Sequence, residues 1–369
     1  MTILIAPNAF KESLTAREAA EAIARGARRV RPSARLLLCP VSDGGDGLLQ
    51  VARDALGANP RTTEVDDPLG RAVRADWALA SGTAMIEMAL ASGLALLSPE
   101  ERDPGRTTST GTGQLMLEAL HAGASRVLLG IGGSATNDAG MGLATAFGVR
   151  FLDRQGIELP PIGRSLALVK DIDGLDGLPE FLCDVVCDVD NPLLGPRGCA
   201  RVYAAQKGAT EAEIEVLEDG MSGFADVVER ITGRECRNEP GAGAAGGLGF
   251  GLMTFFGARL LPGSAAVLDL VGFDALLEEA DVVLTGEGRI DHQTVQGKVP
   301  GEVARRAVVR GIPVAGFGGS VAPGSTGFDR TVEINPPGTA LGVALCQAAL
   351  HLENAAARLL SDWPDDALL

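Results

Sequence analysis

The run Arg126-Val-Leu-Leu129 passes directly into Gly130-Ile-Gly-Gly-Ser-Ala-Thr-Asn-Asp138. A short apolar strand that stops in glycines, small hydroxyl residues and a carboxylate belongs to a strand–loop–helix unit, which confines the chain to an α/β architecture. Glycines let backbone N–H groups approach a ligand, and a helix predicted to begin near residues 134–138 would direct its positive end at an anion. The device recurs. Ala6-Pro-Asn-Ala-Phe-Lys-Glu-Ser13 follows an apolar start, Pro40-Val-Ser-Asp-Gly-Gly-Asp-Gly47 follows Arg35-Leu-Leu-Leu-Cys39, and Asp188-Val-Asp-Asn-Pro-Leu-Leu-Gly195 closes another run. Glu239–Gly249 is a glycine/alanine loop before an apolar helix. Thr285-Gly-Glu-Gly-Arg-Ile-Asp-His-Gln-Thr294, with Gly297-Lys298 beyond it, and Gly316-Phe-Gly-Gly-Ser320 complete the set. In an open parallel sheet such loops share one edge, where ligands bind.

Strands are predicted at residues 3–6, 35–39, 281–285, 313–317 and 331–334, with helices at 15–29, 47–56, 301–310 and 340–359 between them. Thr15 and Glu18 form a capping-box pattern at the first helix. Five strands with intervening helices are the content of a flavodoxin/Rossmann-like parallel sheet. The sequence between is of another kind, with strands expected at 74–80, 83–87, 127–130, 149–152, 184–188 and 201–203. The expected organisation is therefore a discontinuous domain, 1–65 plus 275–369, interrupted by an inserted α/β domain, 66–274. Two connections between lobes imply a hinge, and the active site is expected in the interdomain cleft.

Composition narrows the chemistry. A formal charge of −16 with 4% aromatic residues argues against nucleic acid, which rewards basic stripes and stacking rings. No apolar run reaches the ~18–20 residues of a membrane span and Met1-Thr-Ile-Leu-Ile lacks a basic leader, so a cytoplasmic protein is expected. The six cysteines form no Cys-x-x-Cys pair, and Cys183 and Cys187, four apart with no His nearby to complete a zinc set, read as buried thiols. His121 and His351 fall in helical stretches and read as exposed or capping; His292 lies in a polar loop. A homo-oligomer is left open.

Of 32 basic residues only four are lysine: Lys11, Lys170, Lys207 and Lys298. A lysine set in a polar glycine motif suggests a compact point charge, which favours Lys11 and Lys298 and ranks Lys207 below them. Two nucleotide signatures bear on the chemistry. Gly130-x-Gly132-x-x-Ala135 with Asp153 formally matches a dinucleotide fingerprint, making an NAD(P)-dependent hydroxy-acid dehydrogenase the alternative enzyme. Asn137 and Asp138 are awkward for it, since a carboxylate there would meet the pyrophosphate. No Walker loop exists, because Val299 follows Gly297-Lys298 and His292 takes the place of the first glycine. A non-catalytic anion or nucleotide sensor is the third reading.

Ala6-Pro-Asn-Ala-Phe-Lys-Glu-Ser-Leu14, Ser42-Asp-Gly-Gly-Asp-Gly47, Gly132-Gly-Ser-Ala-Thr-Asn-Asp138, Asp188-Val-Asp-Asn-Pro-Leu193, Pro240-Gly-Ala-Gly-Ala-Ala-Gly-Gly-Leu-Gly249 and Thr285-Gly-Glu-Gly-Arg-Ile-Asp-x-Gln-Thr-x-x-Gly-Lys-x-Pro300 resemble, in the same order, the motifs of the bacterial glycerate kinase family of the GarK/GlxK type. The resemblance implies a flavodoxin-like domain interrupted by a restriction-endonuclease-like one, and ATP-dependent phosphorylation of D-glycerate, chiefly to 2-phosphoglycerate. The chain departs from the family at Asn8-Ala9, usually Asp-Ser, at Glu12, usually Gly, and at Asp46-Gly-Leu48, usually Glu-Gly-Thr.

Phosphoryl transfer asks for a Mg²⁺ across the nucleotide phosphates, cations on the moving group and a carboxylate to orient the attacking hydroxyl. On that reading Lys11 is the transition-state cation, Asp43 or Asp188 the general base, and Asp291 a further catalytic carboxylate. Gly132, Gly133, Ser134, Asn137, Asp138, Gly241, Gly243, Gly286 and Lys298 are expected to bind ATP, although the Gly132–Ser134 backbone suits the glycerate carboxylate equally. Ser13, Gly44, Gly45 and Arg289 are expected on D-glycerate, and Asp188, Asp190 and Glu287 on Mg²⁺.

Overall fold

The computed structural model describes residues 1–42, 47–295, 298–324 and 327–363. Its thirteen strands among these residues are β1 (Thr2–Ile5), β2 (Arg35–Leu38), β3 (Pro60–Asp66), β4 (Ala72–Ala80), β5 (Thr83–Glu87), β6 (Arg126–Gly130), β7 (Arg150–Leu152), β8 (Asp171–Asp173), β9 (Leu182–Val186), β10 (Arg259–Leu261), β11 (Val282–Ile290), β12 (Val314–Val321) and β13 (Arg330–Glu333). Contacts divide the chain into two compact units: Met1–Gly44, Asp54–Leu56 and Pro262–Leu369 in the first, Gly45–Arg53 and Gly57–Leu261 in the second.

The first unit is built on a five-stranded sheet in the order β13-β12-β11-β1-β2, parallel throughout. Renumbered within the unit this is 2-1-3-4-5, the flavodoxin-like winding, whose switch point lies between β1 and β11. Ile3, Ile5, Val282, Leu284, Ala315 and Phe317 from the sheet pack with Ile23, Ala27, Leu352 and Ala356 from helices. The helix Ala16–Val30 begins at Thr15 with the expected capping box. It lies so close to the helix Ala348–Ser361 that a Cβ on Gly26 would stand 2.2 Å from the Glu353 carbonyl oxygen. The helix expected over 340–359 is two, Leu341–Cys346 and Ala348–Ser361, parted where Gln347 leaves helical geometry (φ −106°, ψ 12°).

The second unit carries a mixed six-stranded sheet, β10-β9-β6-β5-β4-β3, in which β3 and β4 are antiparallel additions to four parallel strands. Ser81 and Gly82, both at positive φ, turn β4 into β5, as a two-residue hairpin demands. Asp184, fully buried on β9, is paired with Arg126 of β6 and Arg259 of β10 at 2.6 and 2.7 Å. That satisfies a carboxylate in mid-sheet. The junctions between units fall elsewhere than near 65 and 275. β3 pairs with β4 along its whole length, and the helix Gly263–Leu270 is tied to the helix Val299–Val309 by Arg306 and Asp269, 2.7 Å apart.

Three local readings change. Residues 201–203 form no strand: β-favouring Arg-Val-Tyr is the end of the helix Cys199–Tyr203, which buries Cys199 and Ala200, so packing overrides propensity. No helix begins at 134–138; after β6 the next is the six-residue Met141–Ala146, because 131–140 is spent on a buried loop. His351 is buried, with Nδ1 2.8 Å from Asn335 Oδ1, whereas His121 is exposed as expected.

Candidate active site

In the first unit, the carboxyl ends of β1 and β11 meet at the switch point. The ladder continues past β1, since Ala6 N–H donates to Leu284 O (2.8 Å) and Asn8 N–H to Gly286 O (2.9 Å). Phe10 is sunk in the core, and its bridge to Leu14 holds a tight turn with Lys11 and Glu12 exposed at its tip. Ser13 donates through Oγ to Phe10 O at 2.9 Å, so this hydroxyl braces the turn as well as lying beside it. Glu12 sits at φ +64°. A non-glycine residue there costs roughly 1–2 kcal/mol, which explains the glycine usual at this position. Glu12→Gly is expected to raise stability by about 0.5–1 kcal/mol once the added freedom of the unfolded chain is set against the relieved strain; urea unfolding measures it.

At the end of β11, Glu287 is buried and accepts from Thr294 Oγ1 at 2.6 Å, while Asp291 N–H donates to the same hydroxyl at 3.0 Å. Lys298 Nζ stands 3.8 Å from Glu287, and exposed Arg289 lies 3.3 Å from Asp291. Two acids, two cations and a hydroxyl expected from the sequence are thus brought together at the end of β11 and in the segment that follows it, with Lys298 at the N-cap position of the helix Val299–Val309. Gly286 serves packing, since a Cβ there would stand 2.5 Å from Phe317 O. His292 is exposed. Asp43, Gly44 and Gly45 lie outside the described residues.

The second unit has a cavity of about 390 Å³ at the carboxyl ends of β6 and β9. Gly132, Gly133, Ser134 and Asp188 line it, joined by Leu94, Ile131, Val186, Val189, Ala244 and Ala245 on its apolar walls. Three further polar residues reach it that the glycine-carboxylate motifs do not contain. Lys207 is buried and donates to Ser134 Oγ at 2.8 Å and Thr136 O at 2.7 Å. Burial pushes its ammonium down to about 8, with Cys199 and Asp138 pulling the other way. Tyr203, the chain's single tyrosine, donates to Asn191 Oδ1 at 2.7 Å, and Gln206 completes the group. The sequence signal for Lys207 is lysine rarity, and it is a weak one because Gln206-Lys207-Gly208 has little of the glycine-carboxylate character of the other motifs.

Several residues expected on the nucleotide are buried and engaged in internal contacts. Asp138 is wholly buried and accepts from Ser109 N–H (2.7 Å), Ser109 Oγ (2.8 Å), Gly142 N–H (3.1 Å) and Gly140 N–H (3.3 Å). Desolvation outweighs these donors and holds its carboxyl above the usual range. Asn137 is equally buried and absent from the cavity wall. Gly241 and Gly243 are buried too: a Cβ on Gly243 would meet Pro192 O at 2.2 Å, and one on Gly241 would meet Leu260 at 2.5 Å. The loop's contribution to the cavity is Ala244 and Ala245, the latter at φ +53°. Asp190, expected on a metal, is exposed and paired with Arg197 at 2.5 Å, which holds its carboxyl below the usual range. Among the described residues no three His, Cys, Asp or Glu side chains are grouped to hold a metal ion.

The dinucleotide reading fails on topology. β7, which ends before Asp153, pairs antiparallel with β8 in a separate two-stranded sheet and is no neighbour of β6. Asp153 accepts from Gln155 and Ile157 N–H in its own turn. A ribose-binding acid must end the strand beside the glycine loop, and this one does not.

A flavodoxin-like parallel sheet with acids and cations at its switch point, and glycine loops lining a cavity in a second α/β unit, define a phosphate-handling α/β enzyme rather than a dehydrogenase. The glycerate kinase family profile matches residues 3–364. A glycerate kinase of Bacillus subtilis (strain 168) is 46% identical, over 96% of this chain and 96% of that protein. The glycerate 2-kinase of Escherichia coli (strain K12) is 44% identical, over 87% of this chain and 86% of that protein. A crystal structure from Salmonella typhimurium LT2, of a protein described as a candidate glycerate kinase 2, superposes with a TM-score of 0.88 at 40% identity, covering 97% of both chains. The chain belongs to the glycerate kinase family.

Proposed function

We propose that the protein transfers a phosphoryl group from ATP to D-glycerate, releasing ADP and 2-phosphoglycerate. The observation that carries this is the Gly132–Ser134 loop, lining a cavity with buried Lys207 bonded to its serine, in a chain that matches glycerate kinases from end to end. The name of the Escherichia coli relative supports O2 as the acceptor.

Phosphoryl transfer is governed by positioning and by charge compensation. Lys11, exposed at the switch point, is assigned to the developing charge, and Lys298 to the phosphates beside it. Arg289 is assigned to the glycerate carboxylate, Ser13 to a hydroxyl, and Asp188 to orienting the attacking hydroxyl and receiving its proton. Mg²⁺ binds through one or two carboxylates plus substrate phosphates. The scattered acids fit that mode better than a preformed cage, and Glu287 is the side chain that would take it. When bound it neutralises phosphate charge. Asp190, committed to Arg197, drops out of that set. Among the described residues no helix is long and apolar enough to cross a membrane, and a cytoplasmic location is part of this reading.

Purified protein given D-glycerate and Mg-ATP is expected to release ADP, followed by a coupled assay, at a rate dependent on both substrates. ADP release that does not respond to D-glycerate sinks the proposal. So would nicotinamide turnover on a hydroxy acid.

A further inference from the structure

We infer that the cavity of the second unit is the nucleotide subsite, with base and ribose against its apolar walls and the phosphates at Gly132–Ser134 backed by Lys207. The inference rests on the kinase reading and decides which of its two substrates enters here. Size and lining both point to the nucleotide. A cavity of about 390 Å³ lies in the range that encloses a heterocyclic ligand. A three-carbon acid would leave most of it filled with water.

D-glycerate carries a carboxylate and two hydroxyls and has no apolar face. It gains nothing from Leu94, Ile131, Val186 or Val189, whereas the two faces of an adenine ring gain from such walls. The polar end suits the rest of the molecule. Lys207 uses two donors on Ser134 Oγ and Thr136 O, so its charge is fixed beneath the exposed Gly132-Gly133 turn, where Gly133 at φ +71° brings bare backbone to the cavity. A fully buried ammonium costs desolvation that an incoming polyanion offsets. Asp188 stands exposed on the same wall.

The test compares two walls at once. Leu94 is partly exposed and Val189 is 40% exposed, so Leu94→Ala/Val189→Ala is expected to fold normally, checked by an unchanged Tm. Calorimetry on the full chain is expected to show Kd for Mg-AMP-PNP raised at least tenfold in this double variant, with Kd for D-glycerate changed less than twofold. In the unmodified protein, adenosine is expected to compete with the nucleotide and D-glycerate is not. A weakened D-glycerate affinity with unchanged nucleotide affinity overturns the assignment and gives the cavity to the acid. Unchanged affinity for both overturns it outright. Binding as expected without any glycerate-dependent ADP release would instead remove the kinase reading and leave the nucleotide subsite standing.

Discussion

Lys11→Ala is expected to lower kcat by more than about 10²-fold while leaving the Tm unchanged, the usual loss when one electrostatic contributor to a transition state is removed. The geometry that motivates the size of the effect is local. Lys298 and Arg289 at the same strand edge each stand near a carboxylate, but Lys11 has none within ion-pair distance among the described residues. Its charge is held at the tip of a turn whose base, Phe10, is locked in the core and whose neck is closed by Leu14 and Ser13. Because the side chain is exposed, its removal empties no core space. Asp188→Asn is expected to match the kcat loss for a different reason, since an amide keeps the shape but cannot take the hydroxyl proton. Steady-state kinetics with saturating substrates separates both effects from binding. Near-normal turnover in either variant removes that residue from the mechanism.

Asp138→Ala is expected to cost about 3 kcal/mol or more, since it strands several buried donors from Ser109, Gly140 and Gly142 that no water reaches. For a unit of about 200 residues that corresponds to a fall in its melting transition of roughly 6–12 °C. Asp138→Asn is expected to fall between the two, because its NH₂ must face one of those donors. Calorimetric unfolding measures the loss. Were Asp138 a direct ligand of ATP, stability would change little and nucleotide affinity would collapse.

Both predictions turn on a distinction that one-dimensional reading draws only in part. The motif Gly132–Asp138 is legible as a ligand-binding loop, and its first three residues do line the cavity. Its last two look equally polar and equally committed to the ligand. They instead turn inward, because a loop carrying so many backbone groups through a core needs an internal acceptor, and Asp138 is that acceptor. Asp188 and Asp190, two residues apart, divide in the same way: one lines the cavity and the other pairs with Arg197. Lys207 goes the other way. Its weak sequence context hides a lysine placed beneath the same glycine loop, bonded to a serine seventy-three positions earlier.

Local chemistry along the chain was enough to determine the alternation of strand and helix, the capping of the first helix, the parallel first sheet and the run of glycine-carboxylate loops at strand ends. These follow from periodicity and turn preference, which act over a few residues. Only the tertiary structure decided which strands adjoin, and with that the fate of each motif. Placing β7 outside the sheet of β6 removed the dinucleotide fingerprint, and setting β6 beside β9 created the cavity in which Gly132, Asp188 and Lys207 meet. Which side of a loop faces a ligand depends on which buried donors and acceptors lie behind it. Those partners come from distant parts of the chain.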